Sequence, residues 1–437
     1  MKLRVLSQLT AAAVFAFSLS ACDNALPALR SDTSFYVYTG DAPLSSFAPG
    51  TILKSRKLSY HVLGMPTEVP VVQLLYRSTD IQGRPTANVT SILKPAVPDP
   101  AKAVSYQSFY DSLNPADSPS RSIAGDVTMG GLVNNFEVAL ITPLLERGYT
   151  VVVPDTQGQR ANFAAGPEYG YNTLDSLRAA TASADTGLNG TTRVGLIGYS
   201  GGAIATNWAA SLAPTYAPDV NDNLVGFAEG GLLVAPSHNL RYVEGSAGWA
   251  GIVGMAVVGV GRSFDIDFTP YVSDYGKAML KQFDHASIIN VLLQFPDMTW
   301  QQLVKPEFAN PNSIPAYVDA VNRINLGLAP TPSIPGLIEQ GLNGGLEGTA
   351  GDKPGIGPGD GVMVAGDVRT LARQYCADGN QSISYVEHEF LSHVLTAVAW
   401  VPNTLDWIDA RFAGKPAPSS CGRIPAGNSL APEVLAR

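Results

Sequence analysis

No run of Lys or Arg interrupts the 437 residues, and charged side chains make up only 15% of them. The net charge is -9. The chain therefore lacks the basic footprint that nucleic acid requires and the electrostatic attraction that holds a protein on anionic lipid. The five histidines show no ligand spacing such as H-E-x-x-H, so no metal is expected. Gly259-Val260-Gly261 lacks a third glycine at Phe264, and no strand-like run precedes it, which excludes a dinucleotide fingerprint; no cofactor is expected. Internal repeats and long low-complexity tracts are absent. Cysteine is scarce, at three residues. What remains is 45% hydrophobic, enough for one large α/β domain with an insertion or for two domains.

The first 21 residues read as a signal. Lys2 and Arg4 form a positive n-region, and residues 9–19 form an apolar segment too short for a membrane-spanning helix. Leu19-Ser20-Ala21-Cys22 resembles a bacterial lipoprotein signal, in which the cysteine is acylated and becomes the new N-terminus; ordinary secretion after Ala21 is the alternative. The expectation is an exported protein held at the cell envelope through Cys22, with Asp23 leaning toward the inner membrane. Cys376 and Cys421 then remain as an even pair in an exported chain. They are expected to form a disulfide, with two buried thiols as the alternative.

Residues 22–50 read as an irregular arm whose one strong apolar patch is Phe35-Tyr36-Val37-Tyr38. Short β-type runs follow at 51–53, 71–77 and 86–93, with Gln82-Gly83 as a hairpin turn. A strand at 103–112 runs into a polar loop, a helix spans 133–147, and Thr150-Val151-Val152-Val153 reads as a buried parallel strand. Another helix falls near 174–183, and further strands near 192–199 and 224–231. This alternation predicts a mostly parallel α/β sheet. From 236 to 330 it stops, leaving helical patterns at 249–260, 276–294 and 314–326 and no good strand. That stretch reads as an inserted helical cap between a first core segment (51–235) and a second (331–437). The second holds a strand at 335–341, a Gly-rich loop at 342–359, a helix at 362–375, a strand at 382–387 and a last helix at 396–412.

The chain is organised around Gly198-Tyr199-Ser200-Gly201-Gly202, which follows a β-branched run and precedes a small-residue helix. This is the strand–turn–helix context of a G-x-S-x-G nucleophile elbow, in which Gly198 and Gly202 let the strand and helix close on each other. A serine hydroxyl needs a base, and the base needs an acid to hold its tautomer. His393, before the last helix, is the expected base, with His388 as its rival. Asp360, where the Gly-rich loop turns into apolar sequence, is the expected acid; Asp352 and the more distal Asp367 are the others. Backbone donors for an oxyanion are expected from Gly201 and from Asp111 in Phe109-Tyr110-Asp111-Ser112, where the alternative for Asp111 is a helix N-cap.

Taken together with Gln73-Leu74-Leu75-Tyr76-Arg77-Ser78, Val153-Pro154-Asp155 and Tyr375-Cys376 with Cys421, these motifs make the chain similar to the secretory lipase family, α/β-hydrolases of the yeast lipase A type. The resemblance covers most of the chain after the signal. It implies an α/β-hydrolase fold with a helical cap over the site and hydrolysis of carboxylic esters, often long-chain glycerides. It also implies Ser200, Asp360 and His393 as a triad, with Asp111 and Gly201 as the oxyanion hole. The loop before Asp360 is longer than the family pattern. An esterase for short esters, an acyltransferase and a non-catalytic envelope protein keeping the fold are the rival readings.

Overall fold

A computed structural model describes residues 32–436. The expected signal and Cys22 lie outside them. The described strands form one nine-stranded sheet: β1 (Ile52–Val62), β2 (Met65–Thr79), β3 (Pro85–Leu93), β4 (Lys102–Gln107), β5 (Thr150–Pro154), β6 (Arg193–Tyr199), β7 (Leu224–Gly230), β8 (Gly336–Gly341) and β9 (Ile383–His388). Their spatial order is β1-β2-β3-β5-β4-β6-β7-β8-β9. The first three strands are antiparallel and β3 joins β5 antiparallel, while every pairing from β5 onward is parallel.

Alternation along the parallel strands sorts the core to two faces. Val151 and Val153 of β5, with Ile197 and Tyr199 of β6, join a cluster built on Leu144, Trp400, Leu405 and Ile408. Val152 and Leu196 point the other way, into the larger cluster with Leu174, Trp208 and Val368. Helices of eight residues or more are α1 (Val138–Glu146), α2 (Gly166–Ala182), α3 (Gly201–Tyr216), α4 (Pro236–Val243), α5 (Ile252–Phe264), α6 (Asp274–Phe283), α7 (Pro315–Arg323), α8 (Ala365–Ala377) and α9 (His393–Phe412). Thus α1 and α9 cover one face, and α2, α3 and α8 the other. Residues buried on both faces are what a parallel sheet with crossover helices demands.

Several expectations shift in detail. The strands at 51–53 and 71–77 are the visible ends of a long β1–β2 hairpin that turns at Leu63-Gly64, both with positive φ. Residues 133–147 are two helices, because the chain breaks at Glu137, whose buried carboxylate accepts from the Phe109 amide and the Tyr106 hydroxyl. The run at 276–294 ends at Phe283 and resumes only as the single turn Ile288–Val291. The last helix begins at His393, not Thr396, because the Ser392 side chain caps it by accepting from the Leu395 amide.

Cys376 and Cys421 are bonded to each other, joining the end of α8 to the tail beyond α9 across 45 residues. Replacing both with serine is expected to lower unfolding stability by up to about 4 kcal/mol, mainly through a freer unfolded chain. Chemical denaturation of the oxidised protein and the double variant measures it.

Candidate active site

Strand β6 ends at Tyr199 and α3 starts at Gly201, leaving Ser200 alone at the bend with φ 55° and ψ -120°. A non-glycine residue rarely occupies such a conformation unless its surroundings enforce it. The glycines supply that enforcement. A Cβ on Gly198 would fall 2.3 Å from the Gly202 carbonyl oxygen, and one on Gly202 would fall 2.1 Å from that of Gln107. Only hydrogen fits at either place, so strand and helix close on each other and lift the serine clear of the sheet.

The Ser200 Oγ lies 2.8 Å from His393 Nε2, and His393 Nδ1 lies 2.8 Å from Asp360 Oδ2. Asp360 is held on several sides. Its Oδ1 accepts from the amides of Val362 (3.1 Å) and Met363 (2.8 Å), and its carbonyl accepts from the His393 amide at 2.7 Å. Both Asp360 and His393 are buried. Burial pushes the His393 pKa down, but the Asp360 carboxylate, aided by Glu347 and Asp111, outweighs it and leaves the ring above its ordinary value. The other candidates are placed elsewhere. His388 pairs with Glu339 at 2.7 Å, Asp367 pairs with His238 at 2.8 Å, and Asp352 is exposed on its loop.

Gly201 opens the first turn of α3, where amides have no partner within the helix. Asp111 lies against it: a Cβ on Gly201 would fall 2.0 Å from Asp111 Oδ1. Asp111 itself has φ 30°, and burial pushes its carboxyl up to about 7. The sequence reading missed Gln157, whose amide donates to Asp111 Oδ1 at 3.3 Å while its oxygen accepts from the Ser112 amide at 3.2 Å. The signal available was its place just beyond β5, where the ends of parallel strands present polar side chains.

Ser200, Asp111 and His393 open onto a cavity of about 380 Å³. Its walls are almost wholly apolar. Phe109 and Ile204 come from the core side, and Leu240, Val253, Val260 and Ile324 from the helical stretch between β7 and β8. Among the described residues no group of three His, Cys, Asp or Glu side chains could hold a metal ion.

A mostly parallel sheet, a serine at the strand–helix bend above it and a histidine after the last strand define an α/β-hydrolase. Comparison with known proteins supplies the closer relationship. The chain belongs to the secretory lipase family, whose model matches residues 126–315 and 357–420, and is a carboxylic ester hydrolase by that membership. It is similar to Lipase 6 of Candida albicans, at 31% identity over 91% of this chain and 85% of that protein. A Mycobacterium tuberculosis protein named "Probable inactive lipase MT1628" is 30% identical over 89% of this chain and 84% of that one. Among solved structures, Candida antarctica lipase A in its closed state is similar with a TM-score of 0.78 and 25% identity, covering 94% of this chain and 93% of that one.

Proposed function

We propose that the protein is an exported lipase that cleaves carboxylic esters through an acyl-enzyme on Ser200. The observation that carries this is the unbroken hydrogen-bonded line from Asp360 through His393 to Ser200, ending at an apolar cavity. In the first step His393 Nε2 accepts the Ser200 proton as Oγ attacks the ester carbonyl. The amides of Gly201 and Asp111 donate to the resulting oxyanion. Burial, by raising the Asp111 carboxyl to about 7, lessens the negative charge it places beside that oxygen near neutral pH. His393 then protonates the departing alcohol, and water activated by the same ring releases the acid. Asp360 fixes the ring with Nδ1 protonated and balances the imidazolium formed in transit.

Residues 236–330 act as a cap whose apolar inner wall receives the acyl chain. Burial of each methylene contributes about 0.8 kcal/mol, so the cavity favours longer chains. Membership in a secretory family supports export. Acylation at Cys22 would keep the enzyme at the envelope, close to lipid. The test is hydrolysis of p-nitrophenyl esters of rising chain length by protein lacking residues 1–22. kcat/KM is expected to climb past butyrate toward octanoate and beyond. A maximum at acetate that collapses by octanoate would identify a short-chain esterase. The relative named as inactive gives weight to a second reading, a binding module that keeps the fold. A fluorophosphonate probe separates the two, since an activated Ser200 is expected to label in the folded protein.

A further inference from the structure

The long loop at residues 342–359, between β8 and Asp360, has no part in the steps above. It nevertheless carries an acidic side chain to the histidine. Glu347 Oε1 accepts from the Val394 amide at 2.8 Å, and Oε2 accepts from the Trp249 indole Nε1 at 2.9 Å. Val394 is the second residue of α9, adjacent to His393. Trp249 belongs to the helical insertion, is buried and lines the cavity, and meets the His393 ring edge to face with centroids 5.4 Å apart. One carboxylate thus joins the loop, the insertion and the helix that bears the imidazole. Glu347 also falls between the two segments matched by the family model, which end at 315 and resume at 357.

The physical effect follows from what the other bonds leave free. The Asp360 contact fixes where Nδ1 points but lets the ring rock about that bond. Besides its covalent tether and the Nε2 contact with Ser200, what limits that rocking is what lies against the faces of the ring. Tyr199, at 5.2 Å between centroids, stands on one side and donates its hydroxyl to the His393 carbonyl, while Trp249 presses from another. Trp249 is held in turn by a charge-assisted bond, stronger than a neutral one. At the other oxygen, a carboxylate on the first turn of α9 satisfies an amide that has no partner within the helix and complements its dipole.

We propose that Glu347 is a positioning residue of the active site: by holding Trp249 against the imidazole and gripping the first turn of α9, it sets the ring plane from which His393 moves protons. This rests on the reading of His393 as the general base. The ionisable groups facing the ring are Asp360 and Glu347 from the loop after β8, Asp111 from the loop after β4 and Tyr199 from β6. Removing Glu347 therefore takes away geometry and a negative charge together, whereas changing Trp249 alters geometry alone.

The experiment compares wild type, Glu347→Gln and Trp249→Phe in the whole chain, with p-nitrophenyl butyrate as substrate across pH. The glutamine has one acceptor oxygen for two donors, so one grip is lost. Its kcat is expected to fall about tenfold with KM within about twofold, as for a displaced catalytic group. The acid limb of its kcat/KM profile is expected to move to lower pH. Trp249→Phe is expected to lower kcat similarly while its acid limb stays at the wild-type pH. Both variants turning over within about twofold of wild type, with unmoved acid limbs, would overturn the proposal. Should Glu347→Gln fail to fold, an unchanged kcat for Trp249→Phe does so alone. Ser200→Ala, run alongside, separates the two levels: retained cleavage there removes the base reading, whereas its loss beside two normal variants removes only the role of Glu347.

Discussion

Replacing Ser200 with alanine is expected to lower kcat for ester cleavage by about a millionfold, and His393→Ala by about as much. The two losses are not expected to multiply, because in the proposed mechanism hydroxyl and imidazole act as one unit and neither performs the first proton transfer without the other. The fold should survive the serine change. Its side chain makes one hydrogen bond, to His393, and alanine at φ 55° meets the same backbone strain that serine already bears. Steady-state kinetics on p-nitrophenyl butyrate, with circular dichroism to verify folding, measures the effect. A folded Ser200→Ala protein retaining a tenth of the activity or more would mean that another group attacks the ester (about a tenth being far above the residual rate such variants keep). Fluorophosphonate labelling should vanish with the same substitution.

Asp360→Asn is expected to lower kcat about ten-thousandfold while leaving substrate binding nearly intact. The argument turns on which atom faces which donor. Asp360 Oδ1 accepts from two backbone amides, so an asparagine must keep its oxygen there. Its NH2 group then faces His393 Nδ1, which must accept rather than donate. The proton is driven to Nε2, the atom 2.8 Å from Ser200 Oγ, and a protonated Nε2 cannot take the serine's proton. Asp352→Asn, on an exposed stretch of the same loop, is expected to leave kcat unchanged and serves as the control.

The elbow could be read from sequence because its requirements are local: a strand, two glycines at fixed offsets and a helix all lie within a dozen residues. Asp360 was harder, since chain order admits any aspartate after β8. What separates it from Asp352 is a narrow turn, bridged between Gly359 and Val364, that aims two amides at one carboxylate oxygen. The sequence pattern places His393 in a loop, whereas it opens α9. Its helical register depends on a Ser392 cap that the apolar pattern after it does not reveal. The β1–β2 hairpin was mostly missed because its outer half interleaves lysine, histidine and glutamate on a half-exposed edge, without a clean alternation. Contacts such as Trp249 with Glu347 join residues 98 apart and leave no trace in either neighbourhood. Local geometry can be written in a short motif; meetings between distant segments cannot.

Ser200 and His393 are separated by 193 positions, with the histidine on the C-terminal side. A polypeptide made from its N-terminus therefore carries the Ser200 hydroxyl through much of its synthesis before the imidazole of His393, its proposed base, exists. Asp360 arrives late too, and the Cys376–Cys421 link can close only after both have emerged. A nascent or prematurely terminated product lacking residues 360 and 393 thus lacks the proposed acid and base, so the order of translation itself withholds ester cleavage until the chain is nearly complete.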